Sequence, residues 1–561
     1  MDGSLVFSSR RSPVVSLSGC VASSQPLATD AGLDILKRGG NAADAAVAVA
    51  AALAVTEPCS TGIGGDAFCL FYNGHTGEIK GLNGSGRAAE AQSLDYMESR
   101  GFGADAPPSA VDALNVTVPG AAACWCDTVQ LFGSSKLSLQ DVLSGAVELA
   151  QRGFPVAPVT AHHWGRRVAE LQAAGRDPSP DLLVQGQAPK AGQVFRNQAL
   201  AQTLRELGEC GKAAFYEGRV AEAIVDTIRE QGGVMTQDDL KRHRSEVIRP
   251  ISFQYKGVTL WEPPPNGQGL AALLLLNILD IFPLKAMGHN SADYIHVLTE
   301  AVRLAQTDVL RYLGDPDHVS VPVDALLDKS YGRSRGKSVS LDRCLLCPLH
   351  FNPGLETGSD TVYFCVIDSE GNACSFVNSI YMGFGTGLVP RGCGFPLQNR
   401  GANFSLRRGH PNCIAGGKRP YHTIISALLT DSSSNRLLAA LGVMGGLMQP
   451  QGHVQALLNM QEFGMNPQQA LDAPRVYVHY DQKNDQWTVN LEEGIDGSVA
   501  EELRRRGHNV NHPVIRGLSL GGGQIITVGD WWDPSVSRTD RPNRVLWAGS
   551  DPRADGCAQG Y

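Results

Sequence analysis

The stretch that decides the fold reads Gly358-Ser359-Asp360-Thr361-Val362-Tyr363-Phe364-Cys365-Val366-Ile367-Asp368, then Ser369-Glu370-Gly371-Asn372, then Ala373-Cys374-Ser375-Phe376-Val377-Asn378-Ser379. Two runs of strand formers flank a glycine-asparagine turn, which predicts strand, turn, strand. Upstream, residues 314–360 lose all periodicity and carry prolines, serines and basic residues. Such a segment predicts an exposed, mobile connection. Thr361 thus opens a strand directly behind an irregular stretch. If the chain were cut before it, Thr361 would carry a free α-amine beside its own hydroxyl. That amine has a reference pKa of ~7.7–8.0, so much of it is neutral near physiological pH. A neutral amine can take the proton that makes a hydroxyl a poor nucleophile. Strand propensity alone also accounts for a threonine here.

Working outward, residues 424–430 and 437–443 predict further strands, residues 451–463 a helix, and the remainder more strands. The apolar strand leads into Gly442-Val443-Met444-Gly445-Gly446. Glycines at a strand end leave backbone N–H groups open to an incoming oxyanion, and a plain turn explains them too. Toward the N-terminus, residues 26–56 predict a helix capped by Thr29 or Asp30 and interrupted at Gly39-Gly40-Asn41. Its second half is alanine-rich, which suits close packing in a core. Residues 67–72 predict a strand that turns at Asn73-Gly74 and returns over 78–82. Residues 100–320 read as mostly helical. Helices first and strands last fit helices packed on sheets.

Composition excludes several functions. Lys plus Arg is 48 against 56 Asp plus Glu, a formal net charge of -8. No basic footprint for nucleic acid follows from that balance. Glycine is 63 of 561 residues, about 11% against an average of ~7%. Gly62-Ile63-Gly64-Gly65 lacks dinucleotide-loop spacing and precedes a strand, so a tight turn is expected there. Thirteen cysteines show no framework spacing. Cys344-x-x-Cys347 with His350 lacks a fourth ligand, so neither metal nor cofactor is expected. The N-terminus is polar, and no apolar run approaches the ~20 residues of a membrane span. A cytoplasmic protein with no membrane partner is expected. Asn83-Gly84-Ser85, Asn115-Val116-Thr117 and Asn403-Phe404-Ser405 fit glycan acceptors, read here as chance matches. His162-His163 reads as a solvated helix face.

Taken together, the motifs resemble the γ-glutamyltranspeptidase (glutathione hydrolase) family of N-terminal-nucleophile hydrolases. The resemblance rests on Gly39-Gly40-Asn41-Ala42-Ala43-Asp44-Ala45, Gly62-Ile63-Gly64-Gly65-Asp66, Thr117-Val118-Pro119-Gly120 and Arg152-Gly153-Phe154-Pro155-Val156. Later motifs are Pro263-Pro264-Pro265, Gly314-Asp315-Pro316, Asp360-Thr361, Gly383-Phe384-Gly385-Thr386-Gly387, Lys418-Arg419-Pro420, Gly445-Gly446, Ala473-Pro474-Arg475 and Ser550-Asp551-Pro552-Arg553. It implies an α+β fold, a four-layer αββα sandwich made as a proenzyme. Cleavage between Asp360 and Thr361 would give a large subunit, 1–360, and a small one, 361–561, held as a heterodimer. Thr361 would attack the amide carbonyl of a small γ-glutamyl substrate, Ser379 would support it, and Gly445 and Gly446 would hold the oxyanion.

Several positions depart from the family pattern. The usual Thr-x-His start is Thr361-Val362-Tyr363, and Tyr381 stands where an asparagine is typical. The residues that hold a substrate ammonium fall at Arg400 and Asn403, and a pair of serines becomes His422 and Thr423. Arg87 is the nearest candidate for the substrate carboxylate. The pattern is similar to the divergent glutathione hydrolase-like branch and leans toward cephalosporin acylases. Three readings stand: a γ-glutamyl hydrolase or transferase, an amidohydrolase for other acyl amides, and a non-catalytic binding member.

Overall fold

A computed structural model describes residues 11–172, 181–345, 360–481, 484–515, 517, 520–536 and 544–561. Two seven-stranded sheets form its centre. The first runs, edge to edge, Cys557–Gly560, Cys20–Ser23, Asp360–Ile367, Ala373–Tyr381, Asp66–Tyr72, Ile79–Gly84 and Glu246–Ile248. The second runs Val14–Ser16, Leu546–Ser550, Gly523–Val528, Leu437–Val443, Ala427–Asp431, Val258–Glu262 and Ile251–Tyr255. Neighbouring strands are antiparallel throughout both.

Side-chain alternation builds the layers. Along Asp360–Ile367, Val362, Phe364 and Val366 join a helix-covered core, while Tyr363, Cys365 and Ile367 face the other sheet. A period of two makes both assignments follow from one register. Helices Pro26–Lys37, Ala42–Thr56, Ala121–Phe132 and Leu139–Arg152 cover the first sheet. Helices Gly269–Leu279, Ala292–Tyr312 and Met448–Gln461 cover the second. The result is the four-layer αββα sandwich.

The helix Ala42–Thr56 is buried on every side. Alanine leaves neighbouring backbones room to approach, and the Asn41 side chain caps two N–H groups while Asp44 reciprocates. The preceding helix starts at Pro26 with Gln25 at its cap, not at Thr29 or Asp30. Proline at the first position gives up an N–H that has no helical partner anyway. Region 100–320 is not only helical, since Glu246–Ile248, Ile251–Tyr255 and Val258–Glu262 are strands. Within 314–345, Val323–Leu327 and Lys329–Gly336 are short helices. Residues 346–359 lie outside the described residues, and with them Cys347 and His350.

No helix among the described residues is long and apolar enough to cross a membrane. Among the same residues no group of three or more His, Cys, Asp or Glu is placed to hold a metal ion. Asn83, Asn115 and Asn403 are buried, which closes all three glycan-acceptor matches in the folded chain. On helix Pro158–Arg166, His162 is exposed and His163 half-buried.

Candidate active site

Strand Asp360–Ile367 reaches its partner Ala373–Tyr381 with a register shift between Asp360 and Val362. Such an irregularity re-aims the side chain inside it, and that side chain is Thr361. Its hydroxyl donates to Ser379 Oγ at 3.1 Å. Two more donors reach the same oxygen: Tyr381 N–H at 2.9 Å and Arg400 Nη2 at 3.1 Å. Ser379 Oγ is thus the point where Thr361, Tyr381 and Arg400 meet. Tyr381 takes a left-handed φ of 78°, costly for a residue with a side chain. Its N–H bond to Ser379 and its ring, 4.4 Å below the Arg400 guanidinium carbon, keep it there.

Arg400 is fully buried at the start of the turn Arg400–Asn403. Its Nη1 donates to Thr423 Oγ1 at 2.8 Å, and its Nε lies 3.8 Å from Asp66 Oδ2. Burial pulls its pKa down to about 10, opposed by Asp66, so it remains a cation at neutral pH. His422 Nε2 bonds Asp66 Oδ2 at 3.0 Å. Burial, and then Arg400, hold His422 down at about 4, so its ring is neutral there. Asp66 also accepts from Gly86 N–H at 2.8 Å. Asn403 donates to Tyr421 O at 3.0 Å.

Gly445 and Gly446 follow strand Leu437–Val443 with φ of 119° and 59°. Gly445 O accepts from Met448 N–H and Gly446 O from Gln449 N–H. Both carbonyls therefore turn toward helix Met448–Gln461. Among the described residues, the Gly445 and Gly446 N–H groups have no protein acceptor. A second glycine turn backs the first: Gly522 O accepts from Met444 N–H at 2.9 Å. Arg475 Nη1 donates to Gly521 O at 2.8 Å, and Asp551 accepts from Gly523 N–H at 2.9 Å.

The structure thus gathers Thr361, Ser379, Tyr381, Arg400 and Thr423 by direct contact, with His422 joined through Asp66. The Asp360 backbone pairs opposite Tyr381. Arg87 points elsewhere, pairing with Glu246 at 2.7 Å and Asp317 at 3.2 Å. Tyr363 lies between the sheets, where a Cβ on Gly442 would come within 2.4 Å of its ring. Two residues the sequence reading passed over also belong here, Asp66 and Gln268. Asp66 sits in a quoted motif, which was the available signal. Gln268 shows itself only by its contacts, since its Nε2 donates to Gly446 O at 2.8 Å.

The family model described as Gamma-glutamyltranspeptidase matches residues 28–561. A Bacillus subtilis (strain 168) protein named Glutathione hydrolase-like YwrD proenzyme is 36% identical over 551 residues, 98% of this chain and 99% of its own. The Oxamate amidohydrolase proenzyme of Klebsiella pneumoniae is 32% identical over 555 residues, covering 98% of this chain and 99% of its own. The crystal structure of cephalosporin acylase from Bacillus halodurans superposes with a TM-score of 0.88 at 40% identity, over 100% of this chain and 99% of that one.

Proposed function

We propose, given that the chain belongs to the γ-glutamyltranspeptidase family, that it cuts itself before Thr361 and then hydrolyses acyl amides with Thr361 as nucleophile. The observation that carries this reading is the Thr361 hydroxyl held on Ser379 at 3.1 Å, at the head of a strand. Relatives named as proenzymes support the cut. Both sheets mix strands from before and after Thr361, so pieces 1–360 and 361–561 would stay together as a heterodimer.

The freed α-amine takes the Thr361 hydroxyl proton as Oγ1 attacks the amide carbonyl. The tetrahedral oxyanion then faces the N–H groups of Gly445 and Gly446, where one donor is worth roughly 3–4 kcal/mol. Protonated by the α-amine, the leaving amine departs and an acyl ester remains on Thr361. Water, deprotonated by the same amine, releases the acid.

For the acyl group, Arg400 favours a terminal carboxylate. Two of its five N–H groups serve Thr423 and Ser379 and Nε faces Asp66, and the two that remain on Nη1 and Nη2 suit a carboxylate. A glutaryl-type amide meets that cation without an ammonium of its own. A γ-glutamyl amide is the second reading, supported by the glutathione hydrolase-like relative; its ammonium would sit beside Arg400. The test is release of nitroaniline from glutaryl and γ-glutamyl p-nitroanilides by the cleaved protein. Faster glutaryl turnover is expected. No release of either from fully cleaved protein refutes the reading.

A further inference from the structure

Gln268 lies between the Pro263-Pro264-Pro265 turn and the apolar helix Gly269–Leu279, with its side chain buried. Its Nε2 donates to two backbone carbonyls, Gly446 O at 2.8 Å and Thr423 O. Its Oε1 accepts from the Tyr421 hydroxyl at 2.7 Å. The main-chain N–H donates to His422 O at 3.0 Å. Acceptors at one end of the amide and a donor at the other exclude the flipped orientation. Burial pushes the Tyr421 phenol upward, so it stays a donor through the neutral range.

These contacts join two arms of the site. One is the segment 421–423, where Thr423 Oγ1 accepts from Arg400 and Tyr421 O accepts from Asn403. The other is the glycine turn, where the Gly446 carbonyl shares its peptide plane with Leu447 N–H and marks the end of the turn that leads into helix Met448–Gln461. With φ of 119° and 59° at Gly445 and Gly446, the turn has no side chains to hold it. Met448 and Gln449 N–H hold its carbonyls toward the helix, and Gln268 adds a side-chain donor on Gly446 O that links the turn to a second segment.

We propose that Gln268 is a positioning residue that anchors the Gly445–Gly446 turn at its Gly446 end and ties it to the Tyr421–Thr423 segment that contacts Arg400. The proposal rests on the Thr361 hydrolase reading for its catalytic meaning. A buried glutamine that merely filled space would be replaceable by an apolar side chain of similar volume.

The full-length protein is compared with Gln268→Met and Gln268→Glu. For Gln268→Met, kcat on the glutaryl anilide falls about 100-fold, the cost of a small misplacement of reacting groups, while KM changes by less than about threefold. Hydrogen exchange in peptides covering 444–449 speeds up, and exchange in the helix Ala42–Thr56 does not. Gln268→Glu supplies the distinguishing readout. A buried carboxyl among carbonyls is raised in pKa and, while protonated, can donate to Gly446 O. Its kcat relative to the wild type therefore rises as pH falls and is lost as pH rises through that pKa. Wild-type kcat and exchange in Gln268→Met, or a Gln268→Glu ratio flat with pH, overturns the anchor. If the wild type turns over neither anilide, the hydrolase reading fails, and exchange at 444–449 alone decides: faster in Gln268→Met upholds the anchor, unchanged overturns it.

Discussion

Arg400 Nη2 donates to Ser379 Oγ at 3.1 Å, on the same oxygen that receives the Thr361 hydroxyl. A buried cation thereby shares the Ser379 oxygen with Thr361. In the proposed reaction, one side chain would serve both acyl recognition and the orientation of Thr361.

Replacing Ser379 by alanine removes the oxygen that accepts from Tyr381 N–H and Arg400 Nη2. The Thr361 hydroxyl loses the same acceptor. Turnover of the cleaved protein should fall by roughly 10- to 100-fold, a loss of the size expected for a charge-assisted hydrogen bond. Ser379→Thr keeps the oxygen and should retain most activity. Steady-state rates of the two variants side by side check this.

Arg400→Met removes the cation and its bond to Thr423 while keeping an unbranched apolar stem. The kcat/KM for a glutaryl amide should drop about 10- to 100-fold, as for a lost charged hydrogen bond of ~1.5–3 kcal/mol. The γ-glutamyl amide, relieved of repulsion, should lose less. A competition assay with both amides reads the ratio, and equal losses would count against a carboxylate-binding role.

His422 gives a stability prediction with a definite sign. Its pKa is near 6.5 in the unfolded chain and held at about 4 in the folded one by burial and by Arg400. Between those values the unfolded chain binds a proton that the native ring refuses, so stability falls as pH drops from 6.5 toward 4. At about 1.4 kcal/mol per unit the contribution is roughly 3 kcal/mol. Urea midpoints at pH 7.5 and 5 should shift less in His422→Gln than in the wild type.

Gly521 has φ of 77°, and a Cβ there would lie 2.3 Å from Met444 O. Neither the backbone angle nor the contact with another backbone can relax cheaply. Gly521→Ala should therefore displace the turn behind Gly445, lower kcat more than it raises KM, and lower the unfolding midpoint. A thermal melt and a rate measurement on one preparation check both effects.

Much of the frame was legible because local rules sufficed. Leu437–Val443 spans the strand that its apolar run predicts, and the alanine-rich segment after Asn41 is a buried helix. Strands Ile251–Tyr255 and Val258–Glu262 escaped notice because each is five residues long and lies among helices. Thr361, Ser379 and the glycine pair stood out through motifs. Asp66 and Gln268 act through partners far along the chain: Asp66 meets His422 across 356 residues, and Gln268 meets Gly446 across 178. No local spacing carries such pairs. Arg87 stood out only as the nearest match to a family arginine, and its ion pairs with Glu246 and Asp317 had no signal in the sequence.

The central claim is that Thr361 becomes a free N-terminus. Intact mass and N-terminal sequencing of the purified full-length protein test it most directly, with Thr361→Ala as the companion. The wild type should yield two pieces, the smaller beginning Thr361-Val362-Tyr363, and Thr361→Ala should remain a single chain of 59.8 kDa. A wild type that stays whole under conditions where it is folded, or a variant cut at the same bond, would contradict the account.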